Sequence, residues 1–176
     1  MNTQVTKTLF DPGQIDDCIY GIACAINGMY PNLEAESNIV FCPILTGVIP
    51  FFADLSKYIE IDPYVEYIGA ASYEGTEQQE IKTYRMPSAE LIKGKTVWLI
   101  DDIADSGNTL KYLKDLLLSY GAEEVKTCVL LKKTTCSFPV DLYGFPLEDD
   151  AWIHGYGLDA PNGRGRTSPA LYATLL

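Results

Sequence analysis

The chain has 176 residues, 47% hydrophobic and 21% charged, a composition that suits one globular domain (1–176) and excludes a disordered chain. Asp plus Glu number 24 against 13 Lys plus Arg, and the net charge of −11 argues against nucleic acid as a partner. No apolar stretch approaches the roughly 20 residues of a membrane span, and no apolar signal core stands at the N-terminus, so no membrane partner and a cytoplasmic location are expected.

Asp11 followed by Pro12 is a helix start, and Ile15, Ile19, Ile22, Ala23, Ile26 and Met29 repeat behind it at helical spacing. A polar connection, 31–37, leads to a short apolar strand, 38–45, bounded by Thr46 and Gly47. Residues 48–59 read as a helix, with Pro50 tolerated in its first turn. Asp62 and Pro63 break the chain, and 64–72 is strand-like. Residues 73–84 are polar and contain a glycine, as in an exposed hairpin loop or a lid over a nearby site. A strand over 95–100 and a helix over 108–120 follow, with Gly121 placed to end that helix in a left-handed turn. Another strand spans 125–131, with Lys132 and Lys133 after it. Residues 140–145 and 152–156 are shorter strand candidates, and the tail from Asp159 is rich in Gly, Pro and Arg.

Strands alternating with helices imply an α/β fold, a doubly wound, mainly parallel sheet flanked by helices. Ligands of such sheets bind beyond the carboxyl ends of the strands. That rule gathers Leu45–Gly47, Asp101–Thr109, Lys132–Lys133 and the segment after Tyr156 at one edge.

The richest of these is Val97–Leu110, VWLIDDIADSGNTL. An apolar strand ends on the carboxylates of Asp101 and Asp102, a loop of small residues follows, and a helix begins. Backbone N–H groups at a helix start attract an anion. Ser106, Gly107 and Thr109 are small enough to let a phosphate reach the main chain, and the acidic pair suits sugar hydroxyls or a metal ion. The ligand so described is a phosphorylated sugar. The five cysteines, Cys18, Cys24, Cys42, Cys128 and Cys136, lack metal-type spacing and read as reduced thiols, and nothing pairs one with the single histidine, His154, as a nucleophile.

Leu99–Leu110 resembles the phosphoribosyl pyrophosphate motif of type I phosphoribosyltransferases, and other segments are similar to the hypoxanthine-guanine branch of that family. Ile44–Gly47 with Phe51–Leu55 looks like its pyrophosphate loop and helix, and Ser72 with Tyr73 like the start of its flexible lid, about 73–84. Leu130–Lys133 looks like its purine-reading strand end, and Trp152–Asp159 like its aromatic–x–x–Gly–Tyr–x–x–Asp segment. The resemblance implies a type I phosphoribosyltransferase fold with a small hood built from the chain ends. It implies purine salvage: a 6-oxopurine, hypoxanthine or guanine, plus phosphoribosyl pyrophosphate gives IMP or GMP plus pyrophosphate, with Mg²⁺ as cofactor. A homodimer or homotetramer is also implied.

The resemblance implies the following roles, residue by residue. Asp105 is the implied acid/base at purine N7, and Asp101 and Asp102 hold the ribose hydroxyls directly or through Mg²⁺. Ser106, Gly107, Asn108 and Thr109 cradle the 5′-phosphate, and Lys133 donates to the purine 6-oxo group. Trp152 stacks on the base, and the Ile153 backbone contacts its edge. Asp159 binds a second Mg²⁺, while Thr46, Gly47 and Arg166 contact pyrophosphate, with Arg164 the competitor of Arg166. Two departures stand out: Thr46 is neutral where many members carry Lys or Arg, and the segment 160–166 is one residue longer and lacks a tyrosine. Two other classes compete, a phosphoribosyl pyrophosphate sensor without turnover and a receiver-like phospho-acceptor domain. The first has no basic face or DNA-binding segment to support it, and the Asp-Ser-Gly-x-Thr loop and lid fit the second poorly.

Overall fold

The computed structural model describes residues 6–31, 38–73, 80–148 and 151–174. Helix α1 (Pro12–Met29) begins on a capping box. The Asp11 carboxylate accepts from the Gln14 amide at 2.9 Å, and the Gln14 side chain accepts from the Asp11 amide at 3.0 Å. Its apolar stripe, Ile15, Ile19, Ile22, Ala23 and Ile26, is buried.

Among the described residues the central sheet has seven strands: β2 (Ile39–Leu45), β3 (Tyr64–Val65), β4 (Ile68–Tyr73), β5 (Glu80–Arg85), β6 (Thr96–Ala104), β7 (Glu124–Lys133) and β8 (Leu142–Leu147). The order is β5-β4-β2-β6-β7-β8, with β3 beside β2, and every pairing is parallel except β4 with β5. α1 and α2 (Ile49–Leu55) cover one face, against Phe41, Trp98, Ile100 and Leu130. α3 (Ala89–Ile92) and α4 (Asn108–Ser119) cover the other, against Val40, Val97, Leu99 and Val129. Alternate residues of β2 and β6 therefore feed different cores, which is why those strands read as unbroken apolar runs. A smaller antiparallel sheet, ordered β1-β10-β9, joins β1 (Thr6–Phe10), β10 (Leu171–Thr174) and β9 (Trp152–His154). It ties the two ends of the chain together as a hood.

Several local expectations are corrected. β6 does not stop at Ile100: ladder partners on β7, Asp101 with Val129 and Ala104 with Lys132, carry it through the acidic pair. Lys132 and Lys133 lie within β7 for the same reason, paired with Pro146 and Leu147 of β8. The helix expected over 48–59 ends at Leu55, where the Ser56 hydroxyl donates to the Ala53 carbonyl and competes with the helical ladder. The expected 64–72 strand is split, because β2 pairs with β3 at Val40–Phe41 and with β4 only at Ile44–Leu45. β9 ends at His154, since Gly155 and Tyr156 take φ of 93° and 46° and turn the chain. The tail contains a strand, β10, that its Gly, Pro and Arg content conceals.

Candidate active site

The loops that follow β2, β6 and β7 meet the hood at one edge of the sheet. Asp101 and Asp102 are neighbours near the end of β6, and their carboxyl groups lie within hydrogen-bond reach of each other. Asp101 lines a cavity of about 380 Å³ with Ser106, Gly107, Asn108 and Thr109. Asp102 Oδ2 lies against Gly47: a Cβ added at Gly47 would sit 1.7 Å from it. Burial and the charge of Asp102 hold the Asp101 carboxyl well above its usual range. Burial also raises Asp102, and that rise is opposed by its hydrogen bonds and the Arg166 guanidinium. Asp101 Oδ1 accepts from the Asp102 amide at 2.9 Å.

Gly107 caps α4 in the left-handed region, φ 83°, with no side chain bonded to the cap. A Cβ there would lie 2.3 Å from Phe138 Cβ and 3.0 Å from Cys136 Sγ. Gly107 therefore satisfies two demands at once, a positive φ and a close approach to the β7–β8 connection behind the loop. The Ser106 hydroxyl accepts from the Asn108 amide at 3.3 Å. This cavity offers an anion small side chains and the amides of a helix start, with the Asp101 carboxyl beside them.

A second cavity, about 210 Å³, is lined by Lys133, Trp152, Ile153 and Asp159 and shares Ile103 and Asp105 with the first. Lys133 Nζ lies 2.9 Å from Asp105 Oδ2, a contact between residues 28 apart in sequence. Trp152 is 42% exposed, so it is a wall of the cavity and not a core aromatic. Its indole N–H donates to the Asp159 carbonyl at 2.7 Å.

On the third side stand Thr46 and Gly47. The Leu45–Thr46 peptide is cis, and Thr46 is exposed. Gly157 of the hood presses on this loop, since a Cβ on Gly157 would be 2.0 Å from the Gly47 carbonyl oxygen. Arg166 donates through Nη1 to the Gly157 carbonyl at 2.7 Å and places Nη2 at 3.0 Å from Asp159 Oδ2. Arg164 is joined instead through its backbone, its amide donating to the Asn162 side chain at 3.0 Å. The side chains of Ser72 and Tyr73, and lid residues 74–79, lie outside the described residues.

No group of three His, Cys, Asp or Glu gathers into a metal cage among the described residues. The donor set still fits Mg²⁺. Two buried carboxylates that resist ionising side by side gain from a divalent cation, and Mg²⁺ commonly takes one or two protein carboxylates and fills its shell with water and substrate phosphate oxygens. The cysteines are free thiols. His154 is occupied elsewhere, its Nε2 3.0 Å from Thr174 Oγ1 and its ring stacked on Tyr172. No helix among the described residues is long and apolar enough to cross a membrane.

Some lining residues carried no signal in the sequence. Ile81 of β5 walls the first cavity, while Ala151 and Leu158 wall the second. An isolated apolar residue in a polar hairpin does not announce a site. Phe138 and Cys136, behind Gly107, are likewise placed only by the return of β8.

The family model described as phosphoribosyl transferase domain matches residues 16–161. A hypoxanthine phosphoribosyltransferase of Escherichia coli is 30% identical over 131 residues, 72% of each chain. A hypoxanthine-guanine phosphoribosyltransferase of Aquifex aeolicus is 36% identical over 142 residues, 78% of each chain. Among solved structures, a hypoxanthine-guanine phosphoribosyltransferase from Bacillus anthracis superposes with a TM-score of 0.80 at 28% identity, covering 97% of this chain and 100% of that one.

Proposed function

The chain belongs to the phosphoribosyl transferase family, in its hypoxanthine-guanine branch, and on that premise we propose that it carries the ribose-5-phosphate of phosphoribosyl pyrophosphate to a 6-oxopurine, releasing pyrophosphate. The chemistry is purine salvage, and the relatives are named as enzymes, which disfavours the sensor reading. The reading rests most on one observation. The cavity beside the helix start and the cavity lined by Lys133 and Trp152 meet at Asp105. A sugar phosphate in the first and a flat base in the second bring C1′ and the purine nitrogen together at that junction.

In the reaction the bond from C1′ to pyrophosphate breaks as the bond from C1′ to the purine nitrogen forms. C1′ carries oxocarbenium character between the two events, so charge is stabilised on both sides. Ser106, Gly107, Asn108 and Thr109 hold the 5′-phosphate, and Asp101 and Asp102 hold the ribose hydroxyls. Asp105 handles the proton at purine N7. Lys133 leaves its ion pair to donate to the 6-oxo group, which favours oxopurines over adenine, whose amino group would face a cation. Trp152 stacks on the base, and the Ile153 backbone meets its edge. Thr46, Gly47 and Arg166 receive the pyrophosphate, with Arg166 chosen over Arg164 because its guanidinium lies against Gly157 and Asp159. Mg²⁺, held at Asp101 and Asp102 with a second ion at Asp159, would offset the charge of the leaving group. Ser72 and Tyr73 begin a lid, about 73–84, that closes over the first cavity, where Ile81 already forms part of the wall. The enzyme works in the cytoplasm as a homodimer or homotetramer.

The deciding experiment is a panel of hypoxanthine, guanine, xanthine and adenine, each with phosphoribosyl pyrophosphate and Mg²⁺. Nucleotide formation from one or more oxopurines and none from adenine is expected. Binding of the pyrophosphate with no turnover of any purine would sink the reading.

A further inference from the structure

The pyrophosphate side is held by a clamp that the proposed roles leave unused. Tyr156 is buried, 7% exposed, and among the described residues it alone other than glycine has a positive φ, 46°. Such a conformation persists only where its surroundings over-determine it. Here they do. The Tyr156 amide donates to the Ser168 carbonyl at 2.9 Å, the Gly157 amide to the Arg166 carbonyl at 2.9 Å, and Gly155 and Leu158 exchange backbone bonds at 3.0 and 2.9 Å. The phenol projects from this turn onto α2, where it donates to the Asp54 carboxylate and lies 3.3 Å from the Pro50 carbonyl. Those two partners are 102 and 106 residues away in sequence, so the contact joins the hood to the helix that starts beyond the Thr46–Gly47 loop.

The consequence for the site runs through Gly157. Its backbone rests on the Gly47 carbonyl, where an added Cβ would come to 2.0 Å. Its own carbonyl accepts from Arg166 Nη1 at 2.7 Å. The spacing between Arg166 and the loop is thus set by how closely the 155–158 turn sits on α2. Because Thr46 supplies no charge, Arg166 is the cation on which that spacing bears.

We propose that Tyr156 and Asp54 are positioning residues for the pyrophosphate half of the site: their hydrogen bond docks the hood turn on α2 and thereby aims Arg166 at the Thr46–Gly47 loop. The proposal rests on the transferase reading above. Asp54 accepts from Lys57 as well, so it is a fixed, ionised acceptor. Neither residue lines either cavity of the site.

The test is steady-state kinetics of Tyr156→Phe, Asp54→Ala, Asp54→Asn and the double variant Tyr156→Phe with Asp54→Ala. They are assayed with whichever purine the wild type converts. Loss of the phenol–carboxylate bond is expected to raise KM for phosphoribosyl pyrophosphate about tenfold, with KM for the purine and kcat changed less than about twofold. Asp54→Asn keeps an acceptor oxygen and should recover most of the loss. The double variant should be no worse than Asp54→Ala, since both remove one bond. An unchanged KM for phosphoribosyl pyrophosphate would overturn the proposal. So would a rise in both KM values together, which is what general loosening produces. Asp54, a partly exposed side chain, carries the same test if Tyr156→Phe does not fold. A wild type that forms no nucleotide would instead overturn the transferase reading.

Discussion

Replacing Gly47 by alanine asks whether the approach of the β2 loop to Asp102 sets the geometry for phosphoribosyl pyrophosphate. The new Cβ would stand 1.7 Å from Asp102 Oδ2 and 2.9 Å from its Cγ, whereas real Cβ contacts essentially never fall under 3.0 Å. The carboxylate oxygen must therefore retreat by about 1.3 Å, or the loop must move away from it. Retreat of the loop toward the hood is limited, because the Gly157 carbonyl already lies 3.5 Å from the same Cβ. Asp102 is the softer partner and should rotate. A displacement on the order of 1 Å in a group that orients substrate costs about 10²-fold in rate, or about 2.7 kcal/mol in transition-state binding. We expect kcat/KM for phosphoribosyl pyrophosphate to fall by about 10²-fold. Overpacking of about 1–3 kcal/mol should lower Tm by about 2–12 °C. Initial rates of nucleotide formation at varied phosphoribosyl pyrophosphate, with calorimetric Tm, measure both. Gly163→Ala is the control, for it has a positive φ of 74° but nothing within 4 Å of the added Cβ. It should lose some stability and no activity. If Gly47→Ala keeps kcat/KM within threefold of the wild type, the Gly47–Asp102 contact does not position the substrate.

Further outcomes are expected elsewhere. Asp105→Asn should lower turnover by about 10²-fold with phosphoribosyl pyrophosphate binding largely retained, measured by single-turnover rates beside equilibrium binding; unchanged turnover removes Asp105 from proton transfer. Thr46→Arg places a cation at an exposed position of the pyrophosphate loop and should lower KM for phosphoribosyl pyrophosphate by roughly a few-fold, less so at high salt. Burial pushes the Cys18 thiol up to about 11 and that of Cys42 up to about 12, so their thiolates are scarce at pH 8. Titration with an aromatic disulfide at that pH should react quickly with Cys24, the exposed thiol, and with all five only in denaturant.

Local chemistry made much of this protein legible in its residues. The Asp11–Gln14 box and the stripe Ile15 to Ile26 belong to a helix whose signals lie within a turn or two of one another. Leu110, Leu113 and Leu117 repeat on one face of α4, and the Asp-Asp and Asp-Ser-Gly-x-Thr spacing sits within nine residues of chain. Periodicity and capping are short-range, so a single strand–loop–helix can be read without its surroundings, and the anion site proposed at its helix start comes with it. What tertiary structure alone decided are relations between distant residues. β6 runs on past Ile100 because β7 offers ladder partners to Asp101, Ile103 and Ala104, and this holds both carboxylates at the edge where the loops meet the hood. β1 and β10 form because each completes the other across the length of the chain. Lys133 meets Asp105, Gly47 abuts both Asp102 and Gly157, and Tyr156 reaches Asp54. None of these pairs has a local signature, because their separation in sequence is closed only by sheet order and by packing of the hood on α2. The stretch proposed to hold the sugar phosphate was therefore written in one run of sequence, and the junction at Asp105 and the clamp around Arg166 came into being only when the sheet and hood were assembled.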